Sequence, residues 1–216
     1  MLERIPHPTK PASIAEAGCT ASAGGRSAPG GWHSAPGGWH YVPNFLRADE
    51  AGELLRWLLA EMPWHRDPIR LFGRSHVVPR LVSWCGDAGL CYRYAGQDHP
   101  SEGWPGCLHR LRERLALETG VRFNFLLLNR YRSGADRMGW HRDDEPMTHR
   151  TVASISLGAE RRFLLRPDRE RPSVRLDLEP GSLLLMDRFL PHALPATRRP
   201  IGERVNLSFR SLPDRK

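Results

Sequence analysis

The chain has 216 residues, 40% of them hydrophobic and 26% charged, with a formal net charge of +8. That length suits one domain with an appendage better than two domains. No apolar run approaches the about 20 residues a membrane-spanning helix needs, so a membrane partner is excluded.

The start, Met1 to Pro11, is polar and carries prolines where a secretory signal needs an apolar stretch. A cytoplasmic protein is expected, taken as a monomer. Cys19, Cys85, Cys91 and Cys107 have no CxxC spacing and read as reduced thiols. Lys10 and Lys216 are the only lysines, so nearly all the positive charge is arginine. Arginine suits bidentate contacts to phosphate or carboxylate, although a coding bias would leave the same excess.

Residues 1–40 form the first predicted region, rich in Ala, Ser, Gly and Pro, with the tandem heptads Ser27 to His33 and Ser34 to His40. A stretch this poor in branched apolar residues cannot offset its ordering entropy, so a disordered tail is expected there. Trp32, His33, Trp39 and His40 read as a duplication without a role. Residues 41–216 form the expected folded domain. Its first helix places Ala51, Leu54, Leu55, Leu58 and Leu59 at helical spacing, capped by Asn44 or Asp49 and ended by Pro63. Short strands and turns follow from Phe72 to Tyr94. A second helix carries Leu108, Leu111, Leu115 and Leu117, with Arg110, Arg112 and Arg114 on its wetter side, and stops at Gly120.

Beyond Gly120, strands are predicted at Phe123 to Tyr131, Thr151 to Leu157, Arg162 to Leu165, Val174 to Leu178, Ser182 to Met186 and Arg204 to Arg210. Short strands after helices, without regular alternation, predict an α+β fold: an antiparallel sandwich or jelly roll with helices outside.

The densest group of metal-ligand side chains is His141-Arg-Asp-Asp-Glu145. On an extended segment, His141 and Asp143 project to one side while Arg142 faces away. His192, in a loop introduced by Pro191, offers a third ligand. Two histidines and a carboxylate form the facial triad of non-haem iron(II) oxygenases. A solvated loop also explains an isolated His-x-Asp.

The strand Arg204 to Arg210 alternates so that Arg204, Asn206, Ser208 and Arg210 share one face. Guanidinium groups at both ends suit a small dicarboxylate, while an edge strand with a wet face is the plainer alternative. In Phe123 to Tyr131, Asn129 and Tyr131 end an apolar row shared with Phe125 and Leu127 and could hydrogen-bond the same ligand.

Together these residues resemble the AlkB-type iron(II) and 2-oxoglutarate dioxygenases, which remove alkyl groups from nucleobases. The resemblance rests on Asn129-Arg-Tyr131, Trp140 to Pro146, Ser154 to Ala159, the apolar strand ending before His192, and the arginine pair of the last strand. It covers roughly residues 41–212 and points to the branch of AlkB homologues two and three, through Phe72-Gly73, Pro79-Arg80 and Gly86-Asp87.

The resemblance implies a double-stranded β-helix (jelly roll) with flanking N-terminal helices. It implies that His141, Asp143 and His192 bind Fe(II) and carry catalysis, that Asn129, Tyr131, Arg204, Asn206, Ser208 and Arg210 surround 2-oxoglutarate, and that O2 is the second cosubstrate. Arg204 is assigned the distal carboxylate and Arg210 the iron-bound end.

Asp144 and Glu145 resemble an acidic pair beside the substrate base. Phe72, in Leu71-Phe-Gly73-Arg74, resembles a wedge that fills the gap left by an extruded base. Cys85 stands where several relatives have an aromatic residue, so Trp84 is the candidate stacking face. Arg74, Arg80 and Arg142 are candidate phosphate contacts. The implied activity is dealkylation of 1-methyladenine and 3-methylcytosine in DNA, or RNA, with release of formaldehyde. Two alternatives stay open: an oxygenase of a protein or small molecule, and a non-catalytic nucleic-acid-binding protein with a structural metal.

Overall fold

The computed structural model describes residues 38–66, 68–71, 74–77, 79–94, 97–168 and 172–213, with backbone alone at 68–71, 74–77, 93–94 and 97–99. Of the elements named above, Trp32, His33, Phe72 and Gly73 lie outside the described residues, as does the side chain of Arg74.

In chain order the elements are β1 (Trp39–Val42), α1 (Ala48–Glu61), β2 (Pro68–Leu71), β3 (Arg74–Val77), β4 (Leu81–Gly86), β5 (Cys91–Tyr94), β6 (Gln97–Pro100) and α2 (Gly106–Thr119). There follow β7 (Phe125–Tyr131), β8 (Met138–His141), β9 (Thr151–Gly158), β10 (Arg161–Leu165), β11 (Val174–Leu178), β12 (Leu183–Asp187), β13 (His192–Leu194) and β14 (Arg204–Arg210). Strand pairs are antiparallel. Six strands form one sheet in the order β1-β12-β9-β14-β7-β4, and four form a second in the order β11-β10-β13-β8. Two hairpins, β2-β3 and β5-β6, complete the set.

The period of two along β14 divides the molecule into layers. Val205, Leu207 and Phe209 are fully buried on one side, packed with Leu54 and Leu58 of α1 and Leu108, Leu111 and Leu115 of α2. The opposite face of the six-stranded sheet meets the four-stranded one through Val152, Leu184 and Met186 against Phe163, Leu165 and Leu194. The site lies between the sheets.

Several expectations need correction. Strand β1 takes in Trp39 and His40, pairing them with Met186 and Leu185, so ordered structure begins inside the segment assigned to the tail. Neither Asn44 nor Asp49 caps α1; the cap position is Arg47, and Asp49 lies in the first turn, bonded to the Arg47 guanidinium at 2.9 Å. Leu117, assigned to the apolar face of α2, is 88% exposed, because the stripe narrows to Leu108, Leu111 and Leu115.

Arg112 and Arg114 are not on a wet face. Arg112 pairs with Asp87 at 2.6 Å and lies over the Trp104 ring. Arg114 pairs with Glu50 of α1 and donates to the Phe45 carbonyl. Gly120 does stop α2, in the left-handed conformation at φ 69° that glycine adopts without strain.

Candidate active site

Strands β8 and β13 are too short to show a period in sequence, yet their pairing creates the site. Their register sets His141 opposite His192, with ring centroids 4.1 Å apart, edge to face. His192 therefore opens a strand rather than lying in a loop. Asp143 follows β8 by two residues and is held by its backbone N–H, which donates to the Arg188 carbonyl at 2.9 Å. Ligand atoms of His141, Asp143 and His192 all lie within 4.8 Å of one another.

Each imidazole is oriented by a backbone carbonyl, His141 Nδ1 on Gly139 O at 2.9 Å and His192 Nδ1 on Leu190 O at 2.8 Å. A carbonyl only accepts, so each Nδ1 carries the proton and Nε2 keeps its lone pair, the arrangement a metal requires. Burial, and then the neighbouring His192, hold the His141 imidazole below its ordinary range. For Asp143, burial pushes upward, but Arg210 and the two histidines outweigh it and hold the carboxyl below the ordinary carboxylate range.

A cavity of about 250 Å³ joins this cluster to the inner face of β14. Arg204, Asn206, Ser208 and Arg210 all line it, as do Asn129, Tyr131 and Leu127 of β7. Phe125 does not; it is fully buried against Tyr92.

The two arginines differ. Arg210 donates to Asp143 Oδ1 at 2.7 Å, to Glu145 Oε1 at 3.1 Å and to the Tyr92 hydroxyl at 3.0 Å. Arg204 is 2% exposed and bonds only a hydroxyl, Ser156 Oγ at 3.0 Å. Its Nε has no partner, and no carboxylate pairs with it among the described residues. Burial pushes its guanidinium down to about 10, which still leaves it charged at neutral pH. A buried cation without an anion is costly unless a ligand supplies one.

Other candidates are distributed differently. Arg80 is not a surface phosphate contact: it is 2% exposed, lines the cavity and donates from Nε to Asn129 Oδ1 at 2.7 Å. Trp84 stacks on His65 at 4.9 Å and donates to the Pro100 carbonyl, away from the cavity wall. Glu145 lines the cavity, and its Oε2 is buried without a partner. Asp144 is exposed on a neighbouring recess. Arg142 is exposed at the mouth, where cavity and recess meet.

Three residues were missed in sequence. Tyr92 donates its hydroxyl to Glu145 Oε1 at 2.9 Å, and burial raises its phenol far above the ordinary range. Ser154 accepts from Asn206 Nδ2 at 2.7 Å, and Ser156 holds Arg204. The alternation of Ser154-Ile-Ser156 was the signal available for the serines; nothing local marks Tyr92.

A family model described as the 2OG-Fe(II) oxygenase superfamily matches residues 38–210. The chain belongs to that superfamily. It is 39% identical over 185 residues to the mouse DNA oxidative demethylase ALKBH2, covering 77% of each chain. Its identity to the bovine protein of that name is 38% over 180 residues, 76% of this chain and 65% of the relative. The human alpha-ketoglutarate-dependent dioxygenase alkB homolog 3 is 33% identical over 188 residues, 80% of this chain and 65% of that one. This chain thus spans about two thirds to three quarters of these relatives' lengths.

Among solved structures, a 2OG-Fe(II) oxygenase family oxidoreductase from Burkholderia pseudomallei superposes with a TM-score of 0.60 at 18% identity, covering 91% of this chain and 100% of that one. That likeness supports the jelly-roll fold. As a member of the superfamily, the protein is a dioxygenase using Fe(II), 2-oxoglutarate and O2, and its donor set fits. Two Nε2 lone pairs and one carboxylate converge on a point, beside a buried guanidinium that lacks an anion. Among the described residues, no helix is long and apolar enough to cross a membrane.

Proposed function

We propose that this dioxygenase removes alkyl groups from nucleobases, such as the methyl of 1-methyladenine or 3-methylcytosine in DNA or RNA. The carrying observation is the 39% identity over 185 residues to a DNA oxidative demethylase. The unpartnered Glu145 Oε2 in the cavity wall supports it, because a base offers an exocyclic amine where this carboxylate lacks a donor.

In this reading His141, Asp143 and His192 hold the iron. When bound, iron with 2-oxoglutarate and dioxygen supplies an oxidant for a C–H bond, coupled to decarboxylation of 2-oxoglutarate to succinate. Arg204 takes the distal carboxylate, completing its own charge balance, with Tyr131 and Asn206 beside it. Arg210 keeps Asp143 ionised and fixes Glu145, so one guanidinium ties a metal ligand to the base-reading carboxylate. Enclosure between two sheets excludes water from the reacting carbon. Hydroxylation of an N-methyl group gives a hemiaminal that collapses to formaldehyde and the unmodified base. Arg142 at the mouth is placed for a phosphate. The enzyme is read as a cytoplasmic monomer, checked by sedimentation and cell fractionation.

The test is formaldehyde release from oligonucleotides carrying 1-methyladenine or 3-methylcytosine, given iron(II) and 2-oxoglutarate. Release dependent on both additions is expected. No release from single-stranded DNA, duplex DNA or RNA overturns the reading.

A further inference from the structure

Only three large hydrophobic side chains are exposed among the described residues: Leu117 at 88%, Phe189 at 44% and Trp140 at 43%. Isolated exposed apolar residues are ordinary, and Leu117 on α2 is one. The other two share three features that Leu117 lacks.

Both are aromatic. Both adjoin the candidate metal ligands in the chain, Trp140 immediately before His141 and Phe189 three residues before His192. Both rings carry guanidinium groups: Arg166 lies over Trp140 at 4.2 Å, and Arg188 and Arg150 lie over Phe189 at 4.6 and 5.4 Å.

Trp140 lines a recess beside the cavity, and Phe189, which lines neither, adjoins it through Arg188. Trp140, Arg142, Asp144, Arg166 and Pro191 line a recess of about 550 Å³ that shares His141 and Arg142 with the cavity. Arg188 donates to the Asp144 carbonyl at 2.9 Å, which joins the Phe189 loop to that recess. The Arg166 amide donates to the Pro191 carbonyl at 2.9 Å, so the Arg166–Trp140 stack is anchored next to His192. Arg166 itself has no acidic partner among the described residues, and the chain's net charge is +8. Exposed cation–π pairs stabilise a fold by only about 0.5–1 kcal/mol each, and rings held by cations on a basic rim match a strand of stacked bases on a phosphate backbone.

We propose that Trp140 and Phe189 are stacking platforms for the bases flanking the target nucleotide, and that the ligand of this rim is single-stranded nucleic acid. The proposal rests on the nucleic-acid reading above and adds to it how the strand is gripped outside the cavity. Stacking is tolerant of sequence, so the rim sets affinity for a strand without choosing its bases. Arg142 and Arg166 supply the salt-dependent part, Arg150 being paired with Asp187 at 2.9 Å.

The test measures fluorescence anisotropy of labelled, unmethylated single strands with iron-loaded protein under nitrogen, using base-bearing strands and matched strands with abasic backbones. Trp140→Ala and Phe189→Ala are each expected to weaken the base-bearing strand about tenfold and to leave the abasic strand unaffected. Trp140→Phe keeps a ring and is expected to restore most of the loss. Deoxyribose and ribose versions identify which nucleic acid the rim favours.

Wild-type affinity in both alanine variants overturns the proposal. So does an equal loss on abasic strands, which would mean the rings only support the fold, and so does failure of the wild-type protein to bind any strand. Formaldehyde release from free methylated nucleoside keeps the two readings apart: present with an unaffected rim, it leaves dealkylation standing and the platform refuted.

Discussion

The two ends of β14 carry the same residue type in opposite electrostatic states. At one end Arg210 is charge-paired through its terminal nitrogens, with Asp143, Glu145 and Tyr92 around it at 2.7 to 3.1 Å, while its Nε is unpartnered. At the other, Arg204 is equally buried and has a single hydroxyl and, among the described residues, no carboxylate. The difference separates two uses of a buried cation. Arg210 is architecture: it neutralises the charge a metal ligand must keep. Arg204, in the function proposed above, is a receptor whose charge a carboxylate arriving from solution completes.

The comparison can be pushed hardest at the metal end. Replacing His192 by alanine removes one of two opposed imidazoles; bound iron is expected to fall to trace by metal analysis, and formaldehyde release below detection. Chelator treatment of the wild-type protein should reproduce that loss, reversed by iron(II).

The arginines themselves give the next contrast. Arg210→Met leaves the buried Asp143 and the partly exposed Glu145 without their cation and should lower stability by about 3–5 kcal/mol in denaturant unfolding. Arg204→Met leaves no acid unpaired, so its stability should stay within about 1 kcal/mol of wild type or rise. Its KM for 2-oxoglutarate should instead rise by about 100-fold, the scale expected for losing a buried charge-assisted pair. Equal effects on stability and KM from both variants would erase the distinction.

A smaller effect is expected at Glu145, which belongs to both networks. Glu145→Gln keeps the shape and removes the charge. The KM for a methylated oligonucleotide should rise about tenfold, with 2-oxoglutarate affinity unchanged.

The smallest effect lies outside both ends, at Cys85. Burial pushes its thiol from 9.0 up to about 12. The folded protein then holds a proton the unfolded chain releases, so stability is fully present below pH 9 and declines as pH rises toward about 12. Cys85→Ala should flatten that decline in unfolding curves measured above pH 9. At neutral pH, alkylating reagents should reach Cys85 only after unfolding.

The sequence was most legible where a pattern repeats. Strands β11 and β14 have the predicted bounds, and the inward set of β14 was readable from its alternation. Strands β1, β8 and β13 were not readable, because three or four residues carry no period, and the N-cap of α1 was misjudged because no side-chain bond marks that position.

The residue types, their order and the alternation along β7 and β14 named the donors and acceptors of the site without any coordinates, because a period of two is a property of the local backbone. What the tertiary structure alone decided was who is partnered. Arg210 meets Tyr92 across 118 positions and Arg80 meets Asn129 across 49, while Trp84 turns to His65. Contacts of that span follow from sheet register and burial, which depend on the whole fold at once. The arginines of β14 and the face they share could therefore be read in advance, whereas the protein groups that partner each of them are set by the fold.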